Sequence, residues 1–232
     1  MPGSSLVTRT GVRLVYDDLG PRDATPVVLL HALGATRKDW ATVVPKLTES
    51  FRVISFDLRG HGESDWPGTY SFALMCDDVS DAISQLGLHD VTLIGHSMGA
   101  VVCYLLAISE PGRVGRLVIE DAPPPYKRDH PVPSQAEKPE DFDWDVVPAI
   151  VNEINRGSPE TWTALSEIQA PTLVIAGGES SHIPQELLAD VAARIPAYNL
   201  VTIDVGHHIH EDAPDRFLDA FRSWHGSINR PR

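Results

Sequence analysis

The stretch Gly95-His96-Ser97-Met98-Gly99 holds a serine between two glycines, after the apolar run VTLI and before the long apolar segment AVVCYLLAIS. A serine hydroxyl is a weak nucleophile until a neighbouring base takes its proton. A sharp strand-to-helix turn would hold Ser97 in strained geometry and lift its Oγ above a sheet. Glycine would be needed at 95 and 99 because strand and helix approach too closely there for side chains. The Met98 N–H, at the helix start, would then face the negative charge that develops on an attacked carbonyl. That is the chemistry of acyl transfer. A second concentration of reactive groups is Gly206-His207-His208-Ile209-His210. Histidines in a loop suit a general base, and so many together also raise the question of a metal. Zinc sites more often use a helical pair at i, i+4 or ligands spread along the chain, and neither a cysteine nor a paired acid accompanies this run. No metal and no cofactor are therefore expected.

These groups need elements to position them. Residues 6–10 and 12–18 flank a Thr-Gly turn and read as an antiparallel hairpin at a sheet edge. Then come short apolar runs at 27–30, 53–56, 91–94, 117–119, 172–175 and 200–203. Strands apolar along their whole length are buried on both faces, as in a parallel sheet. Between them, residues 71–86 place Phe72, Met75, Val79, Ala82, Ile83 and Leu86 on one helical face, with Ser71 as N-cap and Gly87 as stop. Residues 98–109 are apolar nearly all round, and 185–194 and 215–224 are amphipathic. The alternation predicts an α/β fold with helices on both faces of the sheet.

With these motifs in view, the chain resembles the α/β-hydrolase family from about residue 12 to 224. The other carriers are LLHALGATRKDW (29–40), DLRGHGESD (57–65) and VGHHIHEDAPDRF (205–217). The resemblance implies a mostly parallel, eight-stranded sheet, a serine nucleophile after the fifth strand and a histidine after the eighth. By position after the glycine, the base maps to His207, with His208 as runner-up and His210 as a loop brace. The loop at His31-Ala32-Leu33-Gly34 would supply the second oxyanion donor, the Leu33 N–H, beside that of Met98. The family usually has glycine where this chain has Ala32, a departure that matters if the backbone there needs positive φ. Asp57, Arg59 and His61 are expected to fix a loop beside the site.

The resemblance also exposes a gap. The loop after the seventh strand, AGGESSHIP, usually carries the acid of the triad, four residues before the proline; here that position is Ser180. A triad needs a carboxylate to hold the imidazole tautomer. Glu179 is one candidate. Asp121, at the end of RLVIED on the sixth strand, is the other, because catalytic groups gather at the carboxyl ends of strands in open α/β sheets. Short-lid bacterial esterases are similar in placing the acid there and a serine on the seventh-strand loop. The expectation is that Asp121 orients His207, that Ser180 joins the network, and that Glu120 points the opposite way.

Residues 122–168 break the alternation with prolines and two helix-like pieces. They read as a short lid inserted into a single domain spanning 1–232, with Phe142 and Trp144 as candidate pocket residues. The combined reading is a serine hydrolase for a small or medium carboxylic ester. Lactone, thioester, C–C bond or perhydrolysis chemistry on the same triad, or a non-catalytic ligand-binding module, are the alternatives. A net charge of −13 argues against nucleic-acid and anionic-membrane partners, leaving a small molecule. Two isolated cysteines, no signal-peptide pattern and no long apolar span give a cytoplasmic expectation.

Overall fold

The computed structural model describes residues 3–135 and 141–228, so residues 136–140 of the expected insertion lie outside it. Eight strands form one sheet: β1 Ser4–Val7, β2 Arg13–Leu19, β3 Pro26–Leu30, β4 Arg52–Phe56, β5 Val91–His96, β6 Val114–Glu120, β7 Thr172–Ala176 and β8 Tyr198–Thr202. The helices are α1 Val44–Leu47, α2 Phe72–Gln85, α3 Met98–Ser109, α4 Val146–Arg156, α5 Pro159–Ala164, α6 Gln185–Arg194, α7 Ile209–Asp212 and α8 Pro214–Ile228. The strand order is β1-β2-β4-β3-β5-β6-β7-β8. The first hairpin and β2–β4 are antiparallel, and every pair from β4 onward is parallel.

Alternation along each strand splits the core into two layers. Val28, Leu30, Ile54, Phe56, Leu93, Leu117 and Ile119 face α2, α3 and α6. Val27, Leu29, Val53, Ile94, Val118 and Leu173 face Trp40, Leu47 and α8. The α8 stripe Phe217, Leu218, Phe221 and Trp224 is buried, each side chain contributing about 1.5–3 kcal/mol. Ser71 caps α2 by accepting the Leu74 N–H at 3.0 Å, and Gly87 ends it at φ 62°.

Two elements depart from expectation. The eighth run was expected to be buried on both faces, but β8 is largely exposed, because it is paired only with β7 at the sheet edge. The segment from Arg37 to Leu47 folds into a 3₁₀ turn and α1, too short for any periodicity to announce. It delivers Asp39 and Trp40 to the site. No helix among the described residues is long and apolar enough to cross a membrane.

Candidate active site

Ser97 sits between β5 and α3 with φ 51° and ψ −112°, a left-handed conformation that costs energy for any residue with a side chain. The flanking glycines are required by contact. A Cβ at Gly95 would lie 2.6 Å from the Ala100 nitrogen, and one at Gly99 would lie 2.2 Å from the Leu30 carbonyl oxygen. Met98 opens α3, so its N–H lacks an intrahelical partner. The next amide, Gly99 N–H, donates to the His31 carbonyl at 3.1 Å and ties the elbow to the loop after β3.

Two neutral histidines fix that loop. His31 donates from Nδ1 to the Ala32 carbonyl at 2.7 Å and accepts the Leu58 N–H on Nε2 at 3.0 Å. His61 accepts the Gly34 N–H at 3.1 Å and donates to the Arg59 carbonyl at 3.1 Å. Burial, then the neighbouring His31, push His61 down to about 3. Leu33 is thereby held between two pinned residues. The positive φ of this loop falls on Gly34, at 79°, and not on Ala32, so alanine at 32 brings no strain. Asp57 accepts the Arg37 and Glu63 amides at 2.7 and 2.9 Å and pairs with the Arg37 guanidinium. Arg59 is buried against Asp78. Both act as braces of loop structure.

Asp121 follows β6 directly and adopts φ 46°. Its carboxylate is fully buried and accepts three donors: Gly177 N–H at 2.7 Å, the Ser181 hydroxyl, and His207 Nδ1 at 2.8 Å. Burial alone would raise this carboxyl, but the His207, Ser181 and Gly177 donors together hold it below the usual range. The His207 ring stands 4.6 Å from that of His96, the neighbour of Ser97, and 4.4 Å from that of His182. The structure thus joins His207 to Asp121 and not to Glu179, which is exposed. His208 is exposed too, 3.6 Å from Glu211.

Ser180 is a correction. Its amide donates to Asp204 at 3.0 Å, while Ser181 reaches Asp121. A 3₁₀ turn over Gly178–Ser180 sets which serine faces the carboxylate, a one-residue offset that sequence position does not encode. Phe142 and Trp144 are a second correction. The cavity beside Ser97, about 50 Å³, is lined by Met98, Val101, Ala122, Pro123–Pro125, Tyr126, Arg128, Ile154 and Ile183. Phe142 instead stacks on His61 at 5.8 Å and lies against Gly34, with Trp144 packed on Phe142.

Glu120 turns the opposite way from Asp121, as alternation requires, and grips His210. Its carboxylate accepts His210 Nδ1 at 2.8 Å and the His210 amide at 2.9 Å, and the ring stacks on Trp40 at 4.1 Å. Burial lowers the His210 pKa, but Glu120 and then Asp39 outweigh it and carry it to about 10. Asp39, His96 and His210 bring ligand-capable atoms within 4.8 Å of one another. An imidazolium held between two carboxylates offers no lone pair to a cation, so this donor set suits a proton. Burial, with help from His207 and His210, lowers His96 to about 4.

A family model described as alpha/beta hydrolase fold matches residues 25–143. A putative 2-succinyl-6-hydroxy-2,4-cyclohexadiene-1-carboxylate synthase of Bacillus subtilis is 36% identical over 126 residues, 53% of this chain and 46% of that protein. The match thus spans about half the length of that relative. An sn-1-specific diacylglycerol lipase of Danio rerio is 26% identical over 93% of this chain and 83% of its own length. Among solved structures, a hydrolase from Pseudomonas aeruginosa superposes with a TM-score of 0.85 at 25% identity, covering 97% of this chain and 98% of that one. A family match over more than half the chain, on a sheet of this order with its serine at the elbow, makes the protein a member of the α/β-hydrolase fold family.

Proposed function

We propose that this protein is a serine hydrolase that cleaves small or medium carboxylic esters, with Ser97 as nucleophile, His207 as base and Asp121 as the carboxylate that orients it. The observation that carries this reading is the hydrogen bond from His207 Nδ1 to the buried Asp121 carboxylate, beside a serine in strained elbow geometry. With Nδ1 engaged, Nε2 is the nitrogen left to take the Ser97 proton. The alkoxide attacks the acyl carbon, and the tetrahedral oxyanion rests on the Leu33 and Met98 amides. His207 returns its proton to the departing alcohol, and water then releases the acid from the acyl-enzyme. Side chains and two amides supply every step, so the reaction requires no cofactor. A serine at the elbow, where a carboxylate nucleophile would be needed to open epoxides or displace halide, argues for acyl transfer. The lipase of Danio rerio, similar over most of both chains, supports an ester as substrate.

The described residues of the segment 122–168 serve as the lid. Its α4 contributes Ile154 to the cavity beside Ser97, and Trp162 on α5 fastens it by donating to the Pro125 carbonyl at 3.0 Å. The test is hydrolysis of p-nitrophenyl esters from acetate to octanoate by wild type and Ser97→Ala in parallel. Turnover that peaks at short chains and disappears in Ser97→Ala is the expected result. Turnover that survives the substitution removes Ser97 from the reaction.

A further inference from the structure

The cavity beside Ser97 is lined by apolar side chains and prolines apart from Ser97 itself, Tyr126 and Arg128. Arg128 is an unusual lining residue. Its guanidinium lies over the Tyr126 ring at 4.9 Å, and Nη1 donates to the Tyr126 hydroxyl at 3.2 Å. Its Nε–H is buried with no hydrogen-bond partner among the described residues. Nor does any described carboxylate lie within ion-pair distance of it, although Arg37, Arg52, Arg59 and Arg116 each hold one. In a chain with 32 acidic residues against 19 Lys and Arg, an arginine at the nucleophile without an acid is not explained by scarcity. A buried N–H left without an acceptor is costly, so the position invites one.

Groups of both signs surround Arg128. Lys127 and His130 flank Arg128 in sequence. Burial and the His207 ring lower His182, Asp121 opposes the shift, and Arg128 and His130 lower it further, so Arg128 acts on the same electrostatic neighbourhood as His207 and Asp121. Asp129 is exposed to solvent. A guanidinium at the cavity of a strongly anionic protein favours an anionic group there. Stacking on Tyr126 accounts for the face of the guanidinium, but not for an arginine that lines the serine cavity with its Nε–H unsatisfied.

We propose that Arg128 binds a carboxylate carried by the ester substrate, so that the preferred substrates are short esters with a free carboxylate near the scissile bond. This rests on the reading of Ser97 as nucleophile. Two chemical sources fit: a half-ester of a dicarboxylic acid, with the anion on the acyl side, or an acylated hydroxy acid, with the anion on the alcohol side. An edge of a planar guanidinium matches a carboxylate in either case.

The experiment follows acid release by pH-stat for two pairs of esters matched in size. Monoethyl succinate is compared with ethyl 4-methylpentanoate, and acetoxyacetate with isobutyl acetate; in each pair an isopropyl group replaces the carboxylate. In wild type, kcat/KM should favour the charged member of at least one pair by about tenfold or more, and the favoured pair identifies the side. The preference should shrink as ionic strength rises. Arg128→Gln should lower kcat/KM for the charged ester at least about tenfold more than for its isostere, mainly through KM, and Arg128→Lys should restore part of the difference. Preference for the neutral member in both pairs, or an equal loss on both members in Arg128→Gln, overturns the proposal while leaving the serine reading intact. No turnover of any of the four esters by enzyme that hydrolyses p-nitrophenyl esters through Ser97 overturns the proposal alone, whereas turnover that persists in Ser97→Ala overturns the serine reading and the proposal with it.

Discussion

Replacing Asp121 with asparagine keeps the size of the side chain and removes only a charge and one acceptor. The consequences follow from its three donors. Oδ1 receives the Gly177 amide, and Oδ2 receives His207 Nδ1 and the Ser181 hydroxyl. If the asparagine oxygen faces Gly177, its NH₂ meets His207, and the imidazole must accept on Nδ1 and carry its proton on Nε2. That tautomer cannot take a proton from Ser97. If the oxygen faces His207, the NH₂ opposes the Gly177 N–H in a site with no exposed surface, an unsatisfied contact costing about 1–3 kcal/mol. The first arrangement is therefore favoured, and the imidazolium also loses its counter-charge. The loss in kcat should be on the order of 10³–10⁴, or about 4–5.5 kcal/mol in the barrier. The assay is turnover of the best p-nitrophenyl ester with active sites counted by covalent labelling of Ser97, so that misfolded protein does not enter the rate. Glu179→Gln, on the exposed part of the β7 loop, should stay within about twofold of wild type. An Asp121→Asn enzyme within tenfold of wild type, or a Glu179→Gln enzyme that loses orders of magnitude, refutes the assignment.

Ser181→Ala should lower kcat by about tenfold, through one lost charge-assisted donor to Asp121, whereas Ser180→Ala should change it less than about twofold; equal effects would mean that the offset between the two serines is wrong. Gly99→Ala should destabilise the fold by about 1–3 kcal/mol or more, because its methyl would meet the Leu30 carbonyl at 2.2 Å, and a thermal melt identical to wild type would contradict the close approach of α3 to β3. His210, raised to about 10 from an ordinary value of 6.5, contributes stability that is complete below pH 6.5 and is lost as pH rises through 10. Glu120→Gln removes the main group that raises it, so the alkaline fall in melting temperature should begin at lower pH than in wild type; an unchanged profile would count against the buried pair.

Local signals carried much of the architecture. Ser71, Gly87, the alternation of apolar runs and helices, and the elbow from Gly95 to Gly99 were readable because each depends on a few adjacent residues and short-range sterics. Features set by long-range partners were not. The exposure of β8 follows from its place at the sheet edge, which no property of its own residues declares. The choice between Ser180 and Ser181 turns on Gly178 at φ 73°, which a sequence containing three consecutive candidate polar residues does not reveal. Phe142 and Trp144 look like pocket residues because aromatics often are. The actual partner of Phe142, the His61 ring, is some eighty residues away, and Trp144 packs on Phe142 in turn. Arg128 gave no signal at all, being one basic residue within a proline-rich strap.

The end of β6 explains how Asp121 reaches a histidine that arrives after β8. β6 and β7 are parallel neighbours, with Glu120 opposite Ile175, and the Asp121 amide continues the pairing by donating to the Ile175 carbonyl at 2.8 Å. The loops leaving the two strands therefore begin side by side. The β7 loop supplies two of the donors to Asp121, the Gly177 amide and the Ser181 hydroxyl. One residue earlier, Glu120 binds His210 on the opposite side of the strand, so consecutive carboxylates at the end of β6 hold His207, in the loop after β8, and His210, in α7. A buried ion pair of this kind contributes little net stability over an apolar pair of similar size, but breaking it by removing one partner costs about 3–5 kcal/mol. Its effect is thus geometric. With His210 locked by Glu120 and stacked on Trp40, the preceding loop has little freedom left at His207, and that imidazole meets Asp121 already oriented.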